Sequence, residues 1–201
     1  MNIAIFASGN GSNFQAIAEA IKKGRIKASL SLLVCDKPGA YVLDRAKKLG
    51  IEIFLAEKKN FTTKEDYEKA IIRELKRKNI GLIALAGYMK IVGPGILKEY
   101  KNKIINIHPA LLPSFKGAHG IKDAFDYGVK VTGVTVHFVD EEMDHGPIIM
   151  QAALEIGAKD TVETLEKKIH KLEHKVYPEA VRLAAEGKLK IKGRKVEANV
   201  R

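Results

Sequence analysis

A single cysteine, Cys35, stands in 201 residues, which excludes an internal disulfide framework and fits a reducing compartment. No apolar run approaches the roughly 20 residues that a membrane-spanning helix needs. The first apolar run, Ile3–Ala7, is too short for a signal peptide and has no basic region before it. No repeat and no low-complexity linker divides the chain. These absences predict a cytoplasmic protein of one domain, residues 1–201, with no membrane partner.

Several catalytic signatures are missing as well. No Gly-x-Ser-x-Gly elbow occurs and Cys35 has no evident partner base, so covalent catalysis finds no support. His108, His119, His137, His145 and Asp144 are potential zinc ligands, but none shows the i, i+4 pairing of a zincin helix. No metal is expected. His137 lies in the alternating segment Val134–Val139 and is expected to be satisfied by sheet neighbours. The net charge of +11 invites a nucleic-acid reading. Its lysines are spread through every predicted helix, however, with no RNP motif, zinc-finger spacing or arginine-rich arm, so no nucleic-acid partner is expected. A basic surface equally steers small anionic substrates.

What remains is a chain of 46% hydrophobic and 29% charged residues, long enough to bury a core unaided. Short apolar runs predict strands at Asn2–Ala7, Leu30–Val34, Ile51–Leu55, Leu82–Ala86, Ile104–His108, Thr132–Val139 and Ile148–Ile156. Helical spacing predicts Phe14–Lys23, Ala40–Leu49 and a helix from a capping box at Thr62–Glu65 to about Lys78. A long helix begins at Asp160 or Thr161 and is expected to end or kink at Pro178. Leu189–Val196 predicts a terminal hairpin turning at Gly193. Strands alternating with helices imply an α/β fold: a Rossmann-like, mostly parallel sheet of about seven strands with helices on both faces. Ligands of such sheets bind beyond the carboxyl ends of the strands. Ser8–Asn13, Gly87–Val92, Asn106–His108 and Val139–Asp144 all fall there by order along the chain.

Two features carry chemistry. Ser8-Gly9-Asn10-Gly11-Ser12-Asn13 joins a strand to a helix start, where glycines and free N–H groups suit an anion. Phe14 replaces the third glycine of a dinucleotide fingerprint and no Lys-Ser/Thr pair follows, so a phosphate monoester fits better than a nucleotide. An ordinary tight turn with Ser12 or Asn13 as helix cap is the structural alternative. Second, Asn106 and His108 are two apart on a strand and share a face. An amide beside an imidazole can stabilise an oxyanion, and a carboxylate such as Asp144 can hold the imidazole protonated or accept a proton.

Together with Asn106-Ile107-His108-Pro109, Leu111-Leu112-Pro113 and Met143-Asp144-His145-Gly146, that loop makes the chain resemble the folate-dependent formyltransferases along essentially its full length. The N-terminal loop resembles their glycinamide ribonucleotide branch. The resemblance implies transfer of a formyl group from 10-formyltetrahydrofolate, as co-substrate, to the amine of glycinamide ribonucleotide in purine biosynthesis. It implies a phosphate-binding half at residues 1–100 and a catalytic, folate-binding half at 101–201. Asn106, His108 and Asp144 would be catalytic; Gly11, Ser12, Asn13, His170 and Glu173 would bind phosphate and ribose. Lys64, Met89, Lys90, Ile91, Val92, Asn106, Asp140, Glu141, Glu142, Met143 and Asp144 would bind the folate. Small molecules would be the only partners, with the protein a monomer or homodimer. Lys64, His170, Ala110 and Ser114 depart from residues common in the family. The rivals are a formyltetrahydrofolate deformylase-like hydrolase, expected to carry a regulatory domain before Asn2, and a non-catalytic phosphosugar-binding module. A methionyl-tRNA formyltransferase would need a nucleic-acid-binding domain where only a short basic tail follows Gly187.

Overall fold

The computed structural model describes residues 1–199. Its strands are β1 (Asn2–Ala7), β2 (Ser29–Cys35), β3 (Ile53–Leu55), β4 (Ile80–Leu85), β5 (Ile104–His108), β6 (Val131–Phe138), β7 (Ile148–Glu155), β8 (Leu189–Lys192) and β9 (Lys195–Ala198). Its helices are α1 (Ser12–Lys22), α2 (Tyr41–Lys48), α3 (Lys64–Arg77), α4 (Pro94–Glu99), α5 (Gly120–Tyr127) and α6 (Val162–Ala185). All nine strands form one sheet in the order β3-β2-β1-β4-β5-β6-β7-β9-β8. The β3-to-β5 portion is parallel; β6 pairs antiparallel to both β5 and β7, so β7 runs in the direction of the parallel portion. The terminal hairpin joins this sheet through Lys195 opposite Ile148, which raises the strand count from the expected seven to nine.

Strands buried on both faces explain the apolar runs. One core layer packs Ile3, Ile5, Leu33, Ile105 and Val136 against α1 and α6; the other packs Phe6, Leu32, Ile83 and Ile104 against α3 and α4. Chain crossovers diverge between β1 and β4, which opens a crevice where these adjacent parallel strands end. The loops after them are tied together, because Ser8 N donates to Gly87 O and Met89 N donates to Ser8 Oγ at 2.9 Å.

Three local expectations change. Thr63, with Asp66 rather than Glu65 facing it, caps α3. The long helix, capped by Thr161, continues through Pro178. The missing Pro178 N–H removes one bond to the preceding turn, but Tyr177, Pro178 and Val181 are buried and packing holds the axis. Helices α4 and α5 also replace expected loop. Neither has a side-chain cap of its own, so neither announces its start.

Helix α4 is capped from outside. Glu68 on α3 reaches its first turn, and Gly95 N donates to Glu68 Oε2 at 2.9 Å. A Cβ on Gly93 would fall 1.6 Å from Glu68 Oε1, so glycine there gives the carboxylate its place. Glu68→Ala is expected to lower stability by about 1–2 kcal/mol, the usual loss of a helix cap. Chemical denaturation reads this directly, and an unchanged midpoint would contradict it.

Candidate active site

Strand β5 presents Asn106 and His108 on the face opposite the α1–α6 layer. Helices α3 and α4 cover that face as far as Ile104, and beyond it loops take over. Antiparallel pairing sets Asn106 opposite His137 and His108 opposite Thr135. Directly opposed residues share a face, so β6 delivers two further polar side chains to the site.

His137 is indeed satisfied by a sheet neighbour, but that neighbour is Asn106, which draws His137 into the site. Its Nδ1 donates to Phe138 O at 2.8 Å, so in the neutral ring Nε2 accepts from Asn106 Nδ2 at 3.2 Å. Thr135 was not expected either. Its hydroxyl donates to Ala110 O at 2.7 Å and accepts from Leu112 N and Gln151 Nε2 at 3.0 Å. Gln151 also donates to Leu112 O at 2.9 Å, so the pair binds loop 110–113 to the sheet. The Leu112–Pro113 peptide in that loop is cis.

His108 is almost fully buried. Its Nε2 donates to Phe115 O at 2.8 Å, and its Nδ1 lies 3.4 Å from Asp144 Oδ2. Helix α5 approaches closely here, because a Cβ on Gly120 would stand 3.1 Å from the imidazole. Burial lowers the His108 pKa below its usual 6.5 and outweighs the Asp144 charge and the Phe115 carbonyl, which raise it. That shift favours the neutral ring in the free protein.

Asp144 reaches His108 by a different route from the one chain order suggested. Because β6 is antiparallel, its end at Phe138 lies beside the start of β5, and Val139 N donates to Ile104 O. The loop after it folds back over the face, with Asp144 at φ 50°. Gly117 N donates to Asp144 Oδ2 at 2.8 Å, and His137 Nε2 stands 3.7 Å from Oδ1. Burial pushes the Asp144 pKa up, yet contacts with His137, the Gly117 N–H and His108 together hold it below the ordinary 3.8. The result is a chain of contacts from the Asn106 amide through His137 and Asp144 to His108, and it is equipped for proton transfer next to an oxyanion.

At the crevice between β1 and β4, Gly11 sits at φ 76° and caps α1, so neither Ser12 nor Asn13 is the cap. A Cβ there would fall 2.5 Å from Val42 Cγ2, which leaves room for glycine alone. No side chain caps α1, and its first N–H groups stay open to an anion. Arg45 on α2 braces the loop through Asn10 O and Asn10 Oδ1. Asn13 turns inward and donates to Glu173 Oε2 at 2.9 Å, a contact spanning 160 residues of chain. His170 Nδ1 donates to the same oxygen at 2.9 Å. That bond raises the His170 pKa above 6.5 against the opposing effect of burial.

The remaining expected positions divide between two loops. Met89, Ile91 and Met143 are 64%, 71% and 56% exposed, three large apolar side chains left without a core. Val92 is buried, and Lys90 lies over the Tyr67 ring with its Nζ 3.6 Å from Asp36. Asp140 accepts from Glu142 N and from His145 Nδ1, while Glu141 and Glu142 are exposed. Lys64 is exposed at the first turn of α3. Among the described residues no group of three or more metal-ligating side chains converges, and no helix is long and apolar enough to cross a membrane.

The family model described as formyl transferase matches residues 1–181. The chain is 54% identical over 179 residues to the phosphoribosylglycinamide formyltransferase of Bacillus subtilis (strain 168), covering 89% of this chain and 92% of that protein. It is 39% identical over 191 residues to the trifunctional purine biosynthetic protein adenosine-3 of Gallus gallus, covering 95% of this chain and 19% of that one. Glycinamide ribonucleotide transformylase 1 from Symbiobacterium toebii superposes with a TM-score of 0.96 at 40% identity, over 98% of this chain and 93% of that chain. The chain belongs to the formyl transferase family.

Proposed function

We propose that the protein transfers the formyl group of 10-formyltetrahydrofolate to the amine of glycinamide ribonucleotide, a step of purine biosynthesis. One observation carries the reading: buried His108, with half-buried Asn106 and Asp144, lies among a phosphate-ready helix start and two loops with exposed apolar side chains. Exposed Met89, Ile91 and Met143 suit a flat aromatic ring system such as the pterin, with backbone groups of 89–92 to orient it. Gly11, Ser12 and Asn13 hold the phosphate. Glu173 offers the ribose Oε1, since both of its protein bonds fall on Oε2.

The folate supplies the formyl carbonyl that the amine attacks. Asn106 has a second amide N–H beyond the one given to His137, and it donates to the carbonyl oxygen as negative charge develops. The attacking amine loses a proton and the departing folate nitrogen gains one. In neutral His108 the proton sits on Nε2 and Nδ1 is free, so Nδ1 holds the proton in transit while Asp144 stabilises the imidazolium. Asp144 Oδ1 is the alternative acceptor, directly or through a water. Holding both substrates in one crevice supplies much of the rate. The mechanism requires no covalent acyl-enzyme.

The test is the phosphate dependence of the reaction. Glycinamide ribonucleotide should be formylated with a much higher kcat/KM than the same compound lacking phosphate; equal values would refute the assignment. His170 adds a further expectation. Its raised pKa keeps positive charge beside the phosphate loop, so that contribution is present at low pH and lost as pH rises through the His170 value. The phosphate gains its second charge around pH 6, which would strengthen binding as pH rises and so does not produce the fall. Ribonucleotide affinity should fall with rising pH in the wild type, and calorimetry on His170→Gln should find that fall removed.

A further inference from the structure

We propose that the turn of the C-terminal hairpin clamps the folate-facing loop, with Arg194 as a positioning residue for Asp140–Asp144. Loop 139–147 has little to hold it by itself: Glu141, Glu142 and Met143 are exposed, and Asp144 takes a left-handed conformation that L residues disfavour. Its ends are pinned by backbone bonds, Val139 N to Ile104 O and Phe138 N to Pro147 O, and its middle by side-chain contacts. Gly117 N holds Asp144, and Asp140 Oδ2 accepts from His145 Nδ1 at 2.8 Å. The third is Arg194, between β8 and β9, whose Nη2 donates to His145 O at 2.7 Å and whose Nη1 lies 3.0 Å from His145 Nε2.

The fork has a defined chemical consequence. A guanidinium only donates, so Nη1 requires the lone pair of His145 on Nε2. The imidazole proton is then on Nδ1, where it bonds Asp140. Arg194 thereby fixes the ring that fixes Asp140, and its second bond fixes the His145–Gly146 peptide, one residue beyond Asp144. Strand pairing reinforces the placement. The hairpin meets the sheet at Lys195 opposite Ile148, one residue from Arg194 on one side and just after the loop on the other. A short amphipathic hairpin added to a sheet edge would need no arginine aimed at the site; this one spends its turn on the loop.

The inference rests on the proposed folate role of residues 140–144, and the test separates the two. Hydrogen exchange of the free protein measures loop opening with no substrate present. Arg194→Ala should speed exchange at residues 139–146 and leave β1 unchanged. In steady state it should raise KM for the formyl donor about threefold to tenfold, the range for one or two exposed charge-assisted hydrogen bonds. The ribonucleotide KM and kcat should move by less than about twofold on the same scale. Arg194→Lys, able to keep one of the two bonds, should fall between. Combining Arg194→Ala with His145→Ala should add nothing to His145→Ala alone, because both break one path. Lys192→Ala, which removes an ion pair with Glu197 on the same hairpin, should behave as wild type. Unchanged exchange, or faster exchange with an unchanged donor KM, overturns the clamp. A wild type that transfers no formyl group overturns the functional reading instead, and exchange alone then decides the clamp.

Discussion

Asp144→Asn is expected to reduce kcat about a hundredfold to ten-thousandfold, the range for loss of a proton-transfer partner, with substrate KM values changed far less. The substitution keeps the shape and removes the charge. Gly117 N still finds an oxygen, so loop placement is retained, but nothing stabilises a proton on His108 Nδ1. The imidazole itself gives an independent readout. Burial already lowers the His108 pKa, and the Asp144 charge opposes that effect. Removing the charge must lower it further, so nuclear magnetic resonance should find His108 titrating at more acidic pH in Asp144→Asn than in wild type. An upward move would contradict the assigned contact. The His108 ionisation should likewise enter the wild-type rate profile below pH 6.5, separate from the deprotonation of the attacking amine at about pH 8. Stability follows a different group. The lowered Asp144 pKa contributes stability above pH 3.8, which is lost as pH falls through the lower folded value.

Glu173→Ala should act on the other substrate. The carboxylate is only 4% exposed and accepts from both Asn13 and His170. Its removal leaves Asn13 Nδ2 unpaired in the interior, removes the raising effect on His170, and deletes the acceptor proposed for the ribose. A hydrogen bond to a charged group is worth about 1.5–3 kcal/mol, so ribonucleotide KM should rise roughly tenfold to 150-fold. The donor KM should stay close to wild type, since Glu173 lies on the phosphate side. Equal weakening of both substrates would show that the substitution disrupts the site as a whole. Glu173→Gln keeps an acceptor oxygen and should lose less.

Much of this was legible in the residues because it depends on short-range rules. Asn106 and His108 lie two apart on a strand, which alone places them on one face. Buried parallel strands read as apolar runs, and the glycines of Ser8–Asn13 mark a backbone that must come close to something. The rest depends on register and chain direction. His137 joins the site because β6 pairs antiparallel to β5 with Asn106 opposite it, and no local pattern encodes that offset. The polar pair Thr135 and His137, two apart in an otherwise buried strand, was the available signal. Asp144 reaches the site although the strand-end argument, valid for parallel strands, does not hold for antiparallel β6. Helices α4 and α5 were missed because α4 takes its cap from Glu68 on another helix and α5 has no side-chain cap. The contact between Arg194 and His145 spans 49 positions and joins residues with no motif between them.

Direct transfer between two bound substrates is tested by following donor labelled in the formyl carbon, with and without glycinamide ribonucleotide. Label should appear in the ribonucleotide amide, stoichiometric with folate released, and almost none should be released when the ribonucleotide is absent. Label appearing as free formate whether or not the ribonucleotide is present would make the protein a hydrolase and rule out direct transfer.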